Sequence, residues 1–246
     1  MARKSKATAR NERRDRRRPA KINLVVDNDA PVVPVRRMRQ SIEPLNAAQR
    51  AYDVAITSRQ LVFGTGPAGT GKTWFATMRA AEALDRGEIE RIIITRPALE
   101  AGERLGFLPG ELEEKYEPFL RPVQDALEEF FGTGKLEYLL KKKVIDPRPL
   151  AYIRGSTLKN CWAILDEAQN TTVAQMKLFL TRIGEGSKFI VNGDIRQSDL
   201  PAGITSGLAD AIQRFDGLSS VATVRFAMDD IVRSGLCREI VSRYEQ

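Results

Sequence analysis

Three clusters of residues in this chain have types and spacings that suit one chemistry. Gly66 is followed, four residues on, by Gly71-Lys72-Thr73, the G-x-x-x-x-G-K-[ST] spacing of a phosphate-binding loop. Across Gly66-Pro67-Ala68-Gly69-Thr70-Gly71-Lys72-Thr73 the backbone must turn back so that several N–H groups meet one anion. The three glycines permit the positive φ values and close approach this needs. A helix beginning near Gly71 adds the positive end of its dipole. Lys72 can then reach the β- and γ-phosphates, and the Thr73 hydroxyl can hold Mg²⁺.

The second cluster is Asp166-Glu167, directly after the apolar run Cys161-Trp162-Ala163-Ile164-Leu165. Carboxylates there stand at the carboxyl end of a buried strand, where open α/β sheets bind ligands. Asp166 suits Mg²⁺, through water, and Glu167 suits orienting and deprotonating an attacking water. Taken alone the pair also reads as helix N-cap carboxylates; the upstream phosphate loop favours the catalytic reading. The third cluster follows another apolar run, Lys188-Phe189-Ile190-Val191-Asn192. Gln197 lies beyond its end, where an amide can sense the γ-phosphate; Asp194 and Arg196 either assist or pair with each other on a surface loop. Two further residues have two readings each. Gln49, one helix before the phosphate loop, is an adenine-reading amide or an exposed helical glutamine. Arg233 neutralises charge on a transferring phosphoryl group or forms an ordinary salt bridge.

These side chains need a scaffold, and the sequence predicts one of the α/β class. Leu61-Val62-Phe63 is an apolar run suited to a buried parallel strand, and the Ala-rich stretch from Phe75 to Leu84 has apolar residues at helical spacing. Arg91-Ile92-Ile93-Ile94-Thr95 is a second strand and Val221-Ala222-Thr223-Val224-Arg225 a fifth, after those ending at 165 and 192. The stretch from Ile42 to Ile56 reads as a helix capped by Asn46, its apolar face repeating through Tyr52 and Ile56. Residues 98–110, rich in Gly and Pro, form a long connection of the kind that is functional or mobile. Residues 111–131 read as helix broken or kinked at Pro118 and Pro122, closed by Gly132-Thr133-Gly134. A short helix follows over 135–144, whose Lys141-Lys142-Lys143 end reads as a solvated terminus in preference to a nucleic-acid contact. A last helix reaches Tyr244.

Composition bounds the rest. The 246 residues suffice for one α/β domain with extensions. There is no histidine, and the two cysteines, Cys161 and Cys237, are far apart, which disfavours disulfide scaffolds, zinc sites and histidine acid–base chemistry. No apolar run approaches a membrane span or a signal peptide, so a soluble cytoplasmic protein is expected. The net charge of +7 is unevenly placed: residues 1–21 hold ten Lys or Arg against Glu12 and Asp15, a local +8, leaving −1 for the remainder. That segment reads as a disordered basic tail that attracts phosphate backbones without sequence preference, or as a solubilising extension. Residues 22–41, with Pro31 and Pro34, read as a linker or short edge hairpin.

In combination, the phosphate loop, Thr95-Arg96-Pro97, Gly102-Glu103-Arg104-Leu105-Gly106-Phe107-Leu108-Pro109-Gly110, Asp166-Glu167-Ala168-Gln169-Asn170 and Gly193-Asp194 with Gln197 and Asp199-Leu200-Pro201 resemble the PhoH family. These are P-loop ATPases with a core like that of superfamily-one helicases. The resemblance covers residues 43–244, and the segment from Gly102 to Gly110 is its most diagnostic part. It implies a RecA-like P-loop NTPase, a parallel sheet flanked by helices on both faces, over an ATPase domain of residues 42–246. It implies that Gln49 reads adenine; that Lys72 and Thr73 form the first nucleotide motif and Asp166 and Glu167 the second; and that Gln197 senses the γ-phosphate. Arg233 lies in a segment similar to the family's arginine motif, although Ser234-Gly235 stands where relatives often have His. Cofactors would be ATP and Mg²⁺, and the assembly a homo-oligomer, plausibly a hexameric ring. The expected function is Mg²⁺-dependent ATP hydrolysis coupled to RNA or single-stranded DNA, with Arg96 and the loop beyond it on the nucleic-acid side. Competing expectations are a nucleotide-gated binding switch with little turnover and a ribonuclease.

Overall fold

The computed structural model describes residues 42–97, 121–232, 235 and 243. The basic segment, the 22–41 segment, the 98–110 connection, Pro118, Arg233 and most of the expected last helix lie outside the described residues.

Among the described residues the order is α1 (Ala47–Ser58), β1 (Leu61–Thr65), α2 (Lys72–Asp85), β2 (Arg91–Thr95), α3 (Arg121–Phe131), α4 (Thr133–Lys141), β3 (Ile145–Pro147), β4 (Cys161–Leu165), α5 (Val173–Leu180), β5 (Lys188–Gly193), α6 (Gly207–Arg214) and β6 (Val221–Arg225). The strands form one sheet in the order β3-β2-β4-β5-β1-β6, with every pairing parallel. Parallel neighbours need crossovers, and the helices that make them cover both faces of the sheet. Strand alternation sorts the core accordingly. Val62, Ile92, Ile94, Trp162, Ile164 and Ile190 pack toward α1, α2, α3 and α4. Leu61, Phe63, Ile93, Ala163, Leu165, Phe189 and Val191 pack toward α5 and α6. Covered on both sides, β1 and β4 are buried along their whole length, which is why they are continuous apolar runs in the sequence.

Local signals explain the ends of the elements. Asn46 caps α1 by accepting the Gln49 N–H at 2.8 Å. Thr172 and Gln175 close a reciprocal capping box at the start of α5. Tyr52 of α1 is buried in the core and donates its hydroxyl to Asn192 Oδ1 of β5; burial pushes its pKa far above the ordinary phenol range. That contact ties α1 to the middle of the sheet.

Two expectations are corrected. The sheet has six strands, not five: β3 pairs with β2 in the register Ile92↔Ile145, a three-residue edge strand too short and too polar, with Asp146 and Pro147, to give a hydrophobic signal. The helix expected over 135–144 instead spans Thr133–Lys141, with Lys142-Lys143 in a turn that delivers the chain to β3. Pro122 lies in the described stretch of α3, Arg121–Phe131.

Candidate functional site

The ends of β1, β2, β4 and β5 converge at one edge of the sheet, and the loops that leave them carry the side chains singled out above. From β1 the chain enters the loop at Gly66, with φ 142°, and leaves it at Gly71, with φ 85°. Gly66 has no room for a side chain, and the φ of Gly71 strains one. A Cβ on Gly66 would lie 2.3 Å from the Phe226 carbonyl oxygen, and one on Gly71 would lie 2.9 Å from Gln49 Nε2. The loop is braced from outside by Gln49 Nε2 donating to the Thr70 carbonyl at 3.0 Å and by the Val232 N–H donating to the Gly69 carbonyl at 3.0 Å. The Gly66 N–H donates to the Gly193 carbonyl at 3.1 Å, which ties the loop to the end of β5.

Lys72 opens α2 and folds back over this loop. Its Nζ donates to the Gly66 carbonyl at 2.6 Å, the Pro67 carbonyl at 2.8 Å and Thr70 Oγ1 at 3.2 Å. Only 8% of the residue is exposed. Desolvation lowers its pKa, opposed by the negative charges of Asp194, Asp166 and Glu167, so the three carboxylates stand close enough to be felt by one ammonium. An ammonium satisfied by carbonyls of the loop itself is held ready for an anion in the same cradle.

Asp166 follows β4 and is buried. Its Oδ1 accepts the Thr73 hydroxyl at 2.7 Å, and its Oδ2 accepts from Arg96, which follows the neighbouring strand β2, through Nη2 and through Nε at 3.1 Å. Arg96, expected on the nucleic-acid side, is thus engaged with the carboxylate that the sequence marks for metal. No cluster of three or more metal-ligating His, Cys, Asp or Glu occurs among the described residues. A hydroxyl and a carboxylate at hydrogen-bond distance nevertheless fit Mg²⁺, which takes one or two protein oxygens and fills its octahedron with water and phosphate. Arg96 supplies positive charge at the same carboxylate.

Glu167 is exposed, at φ 54°, and its Oε2 accepts from Gln169 Nε2 at 2.7 Å. It opens onto a cleft of about 690 Å³ lined by Arg96, Glu167, Asn170, Arg196, Gln197 and Asp199 among others. Gln197 also lines a smaller cavity of about 210 Å³ with Pro67, Asp194 and Arg196, so it lies between Glu167 and the phosphate loop. Arg196 meets Asp194 through its backbone N–H, which donates to Asp194 Oδ1 at 3.1 Å.

The sequence profile of the family described as PhoH-like protein matches residues 41–245. The chain belongs to the PhoH-like family. The PhoH-like protein of Bacillus subtilis (strain 168) is 50% identical over 207 residues, covering 84% of this chain and 65% of that one. Protein PhoH of Escherichia coli (strain K12) is 51% identical over 201 residues, covering 81% and 57%. This PhoH-like chain therefore spans about three-fifths of the length of these relatives. Among solved structures, the large terminase of a thermophilic bacteriophage superposes with a TM-score of 0.51 over 82% of this chain and 50% of that one, at 14% identity, a likeness of fold. Together with the phosphate loop at the end of β1, this makes the chain a PhoH-like protein with a P-loop NTPase fold.

The structure brings Lys72, Thr73, Asp166, Glu167 and Gln197 to one place. Gln49 is buried beside the loop instead of lying exposed on its helix, and its Oε1 accepts the Leu45 N–H at 2.8 Å. Two participants were not legible in sequence: Arg96 as the partner of Asp166, and Gln169 as the partner of Glu167. The first depends on β2 lying next to β4, which spacing along the chain does not encode. The second sits inside a recognised motif, but nothing in its type marks its direction. No helix among the described residues is long and apolar enough to cross a membrane.

Proposed function

We propose that this chain is an Mg²⁺-dependent ATPase that couples hydrolysis to binding or remodelling of RNA or single-stranded DNA. The observation that carries the reading is the Thr73–Asp166 hydrogen bond, with Lys72 folded over the adjoining loop and Glu167 next in the chain. With nucleotide bound, Lys72 exchanges loop carbonyls for β- and γ-phosphate oxygens. Thr73 and Asp166 hold Mg²⁺, which supplies charge neutralisation at the phosphates. Glu167 orients the attacking water and accepts its proton, Gln197 responds to the γ-phosphate, and Arg233 neutralises charge on the transferring group. Gln49 braces the loop with one amide N–H and has the second for the adenine edge.

The nucleic-acid part of the proposal rests on the family and on the basic segment at 1–21, which adds salt-sensitive, sequence-independent attraction. The same reading makes the protein a cytoplasmic homo-oligomer that assembles as a ring. One observation favours a nucleotide-gated switch as the second reading: Arg96 sits on Asp166, so a cation arriving there competes with the residue that leads into the 98–110 connection. Phosphate release with and without single-stranded RNA and DNA separates the two. Stimulated turnover, reduced by removing residues 1–21, supports the coupled ATPase; tight ATP binding with negligible turnover supports the switch.

A further inference from the structure

Glu167 holds a left-handed backbone conformation, φ 54°, which a residue with a side chain keeps only where its surroundings enforce it. Its carboxylate ends a flexible, exposed side chain, yet a general base works only within hydrogen-bond reach of its proton. Something must hold it. Gln169, two residues on and 3% exposed, places Nε2 at 2.7 Å from Glu167 Oε2 and Oε1 at 3.1 Å from the backbone nitrogen of Asp194. The amide has one possible orientation. The Asp194 N–H can only donate, so it faces Oε1, which leaves Nε2 for the carboxylate.

The backbone of the same residue moors the segment beyond β5. The Gln169 carbonyl accepts Ser198 Oγ at 3.2 Å and Ser206 Oγ at 2.8 Å, and next to it Asn170 Oδ1 accepts the Asp199 N–H at 2.8 Å. Gln197 therefore lies in a stretch anchored to Gln169-Asn170 on either side, at Asp194 and at Ser198-Asp199. The fit is tight: a Cβ on Gly193 would lie 2.5 Å from Gln169 Oε1, and the Gly193 carbonyl is the one that receives the Gly66 N–H of the phosphate loop.

We propose that Gln169 is a positioning residue that holds the Glu167 carboxylate and fastens it to the segment bearing Gln197, so that base and phosphate sensor move as one unit. The inference rests on the hydrolytic reading given above. Gln169→Leu keeps most of the volume and removes both side-chain hydrogen bonds. The expected result is a fall of about 10–100-fold in kcat, the range for a displaced catalytic group, with the Kd of a non-hydrolysable ATP analogue held within about twofold. In a Glu167→Ala background, which leaves Gln169 no side-chain acceptor at that position, single-turnover measurements should show that adding Gln169→Leu costs a smaller factor than it does in the wild type, because only the hold on the Gln197 segment remains to be lost. Gln169→Asn, which withdraws the amide by one methylene, serves the same comparisons if the leucine variant does not fold. A folded variant with wild-type kcat overturns the proposal. So does an equal loss in both backgrounds, or a loss of kcat matched by an equal loss of nucleotide affinity. A wild-type protein that binds ATP but releases no phosphate overturns the hydrolytic reading, and this role with it.

Discussion

Thr73 Oγ1 donates to Asp166 Oδ1 at 2.7 Å, so the first turn of the helix behind the phosphate loop and a strand end 93 residues further along share one hydrogen bond. Each residue alone has an ordinary structural explanation. Their contact does not follow from either one's local sequence; it follows from β1 and β4 flanking β5 in a parallel sheet. Removing the hydroxyl should therefore affect binding of the metal-bound nucleotide. Thr73→Val is expected to weaken Mg²⁺–ATP binding about 10–100-fold, and Thr73→Ser to restore most of it, in titrations with a fluorescent nucleotide at varied Mg²⁺. Equal losses for both variants would point to packing.

Asp166 also neutralises Arg96, and the two side chains are 4% and 15% exposed. Truncating one member of a pair this enclosed strands the other's charge. Asp166→Ala should lower unfolding free energy by about 3 kcal/mol, near the small end for buried pairs because Arg96 keeps some access to water. Urea unfolding measures it; a change under about 1 kcal/mol would mean that the pair is effectively solvated.

Gln49 joins the start of its own helix to the phosphate loop, accepting from Leu45 N and donating to the Thr70 carbonyl. Gln49→Ala leaves both groups without that partner, for an expected loss of about 1–3 kcal/mol. If thermal melting is unchanged while ATP affinity falls, the residue serves the nucleotide and not the loop.

Cys161 begins β4 and is fully buried, and burial pushes its thiol up to about 11 from 9.0. A native pKa above the unfolded one means the folded chain retains a proton that the unfolded chain has lost. This contribution to stability is complete below pH 9 and declines as pH rises through 11. In a Cys237→Ser background, the native protein should resist a thiol reagent at pH 8, with a thiolate fraction about 100-fold below that of an unfolded thiol. Rapid labelling without unfolding would contradict the burial of β4.

Much of this architecture can be read from residue order because parallel strands covered on both faces are apolar along their buried length, as in Cys161–Leu165 and at Ile92, Ile93 and Ile94. The phosphate loop is legible for a related reason: its glycines are required by backbone geometry at Gly66 and Gly71, whatever surrounds them. Ile145–Pro147 is not legible, since an edge strand of three residues is defined by pairing with β2 and not by its own pattern. Arg96 reads outward, toward nucleic acid, because charge at a strand end signals ligand contact without saying which neighbour it will meet. Gln169 is hidden by chemistry: a buried amide and an exposed one are written with the same letter.

The central claim is that Lys72, Asp166 and Glu167 serve a single Mg²⁺-bound triphosphate. Binding of Mg²⁺–ATP and release of phosphate, measured side by side for the wild type, Lys72→Ala and Glu167→Gln, tests it most directly. The account predicts that Lys72→Ala loses nucleotide affinity and turnover together. Glu167→Gln should bind ATP as the wild type does while its turnover falls by about 100-fold or more, as expected for loss of a general base. Wild-type rates of hydrolysis in both variants would contradict it.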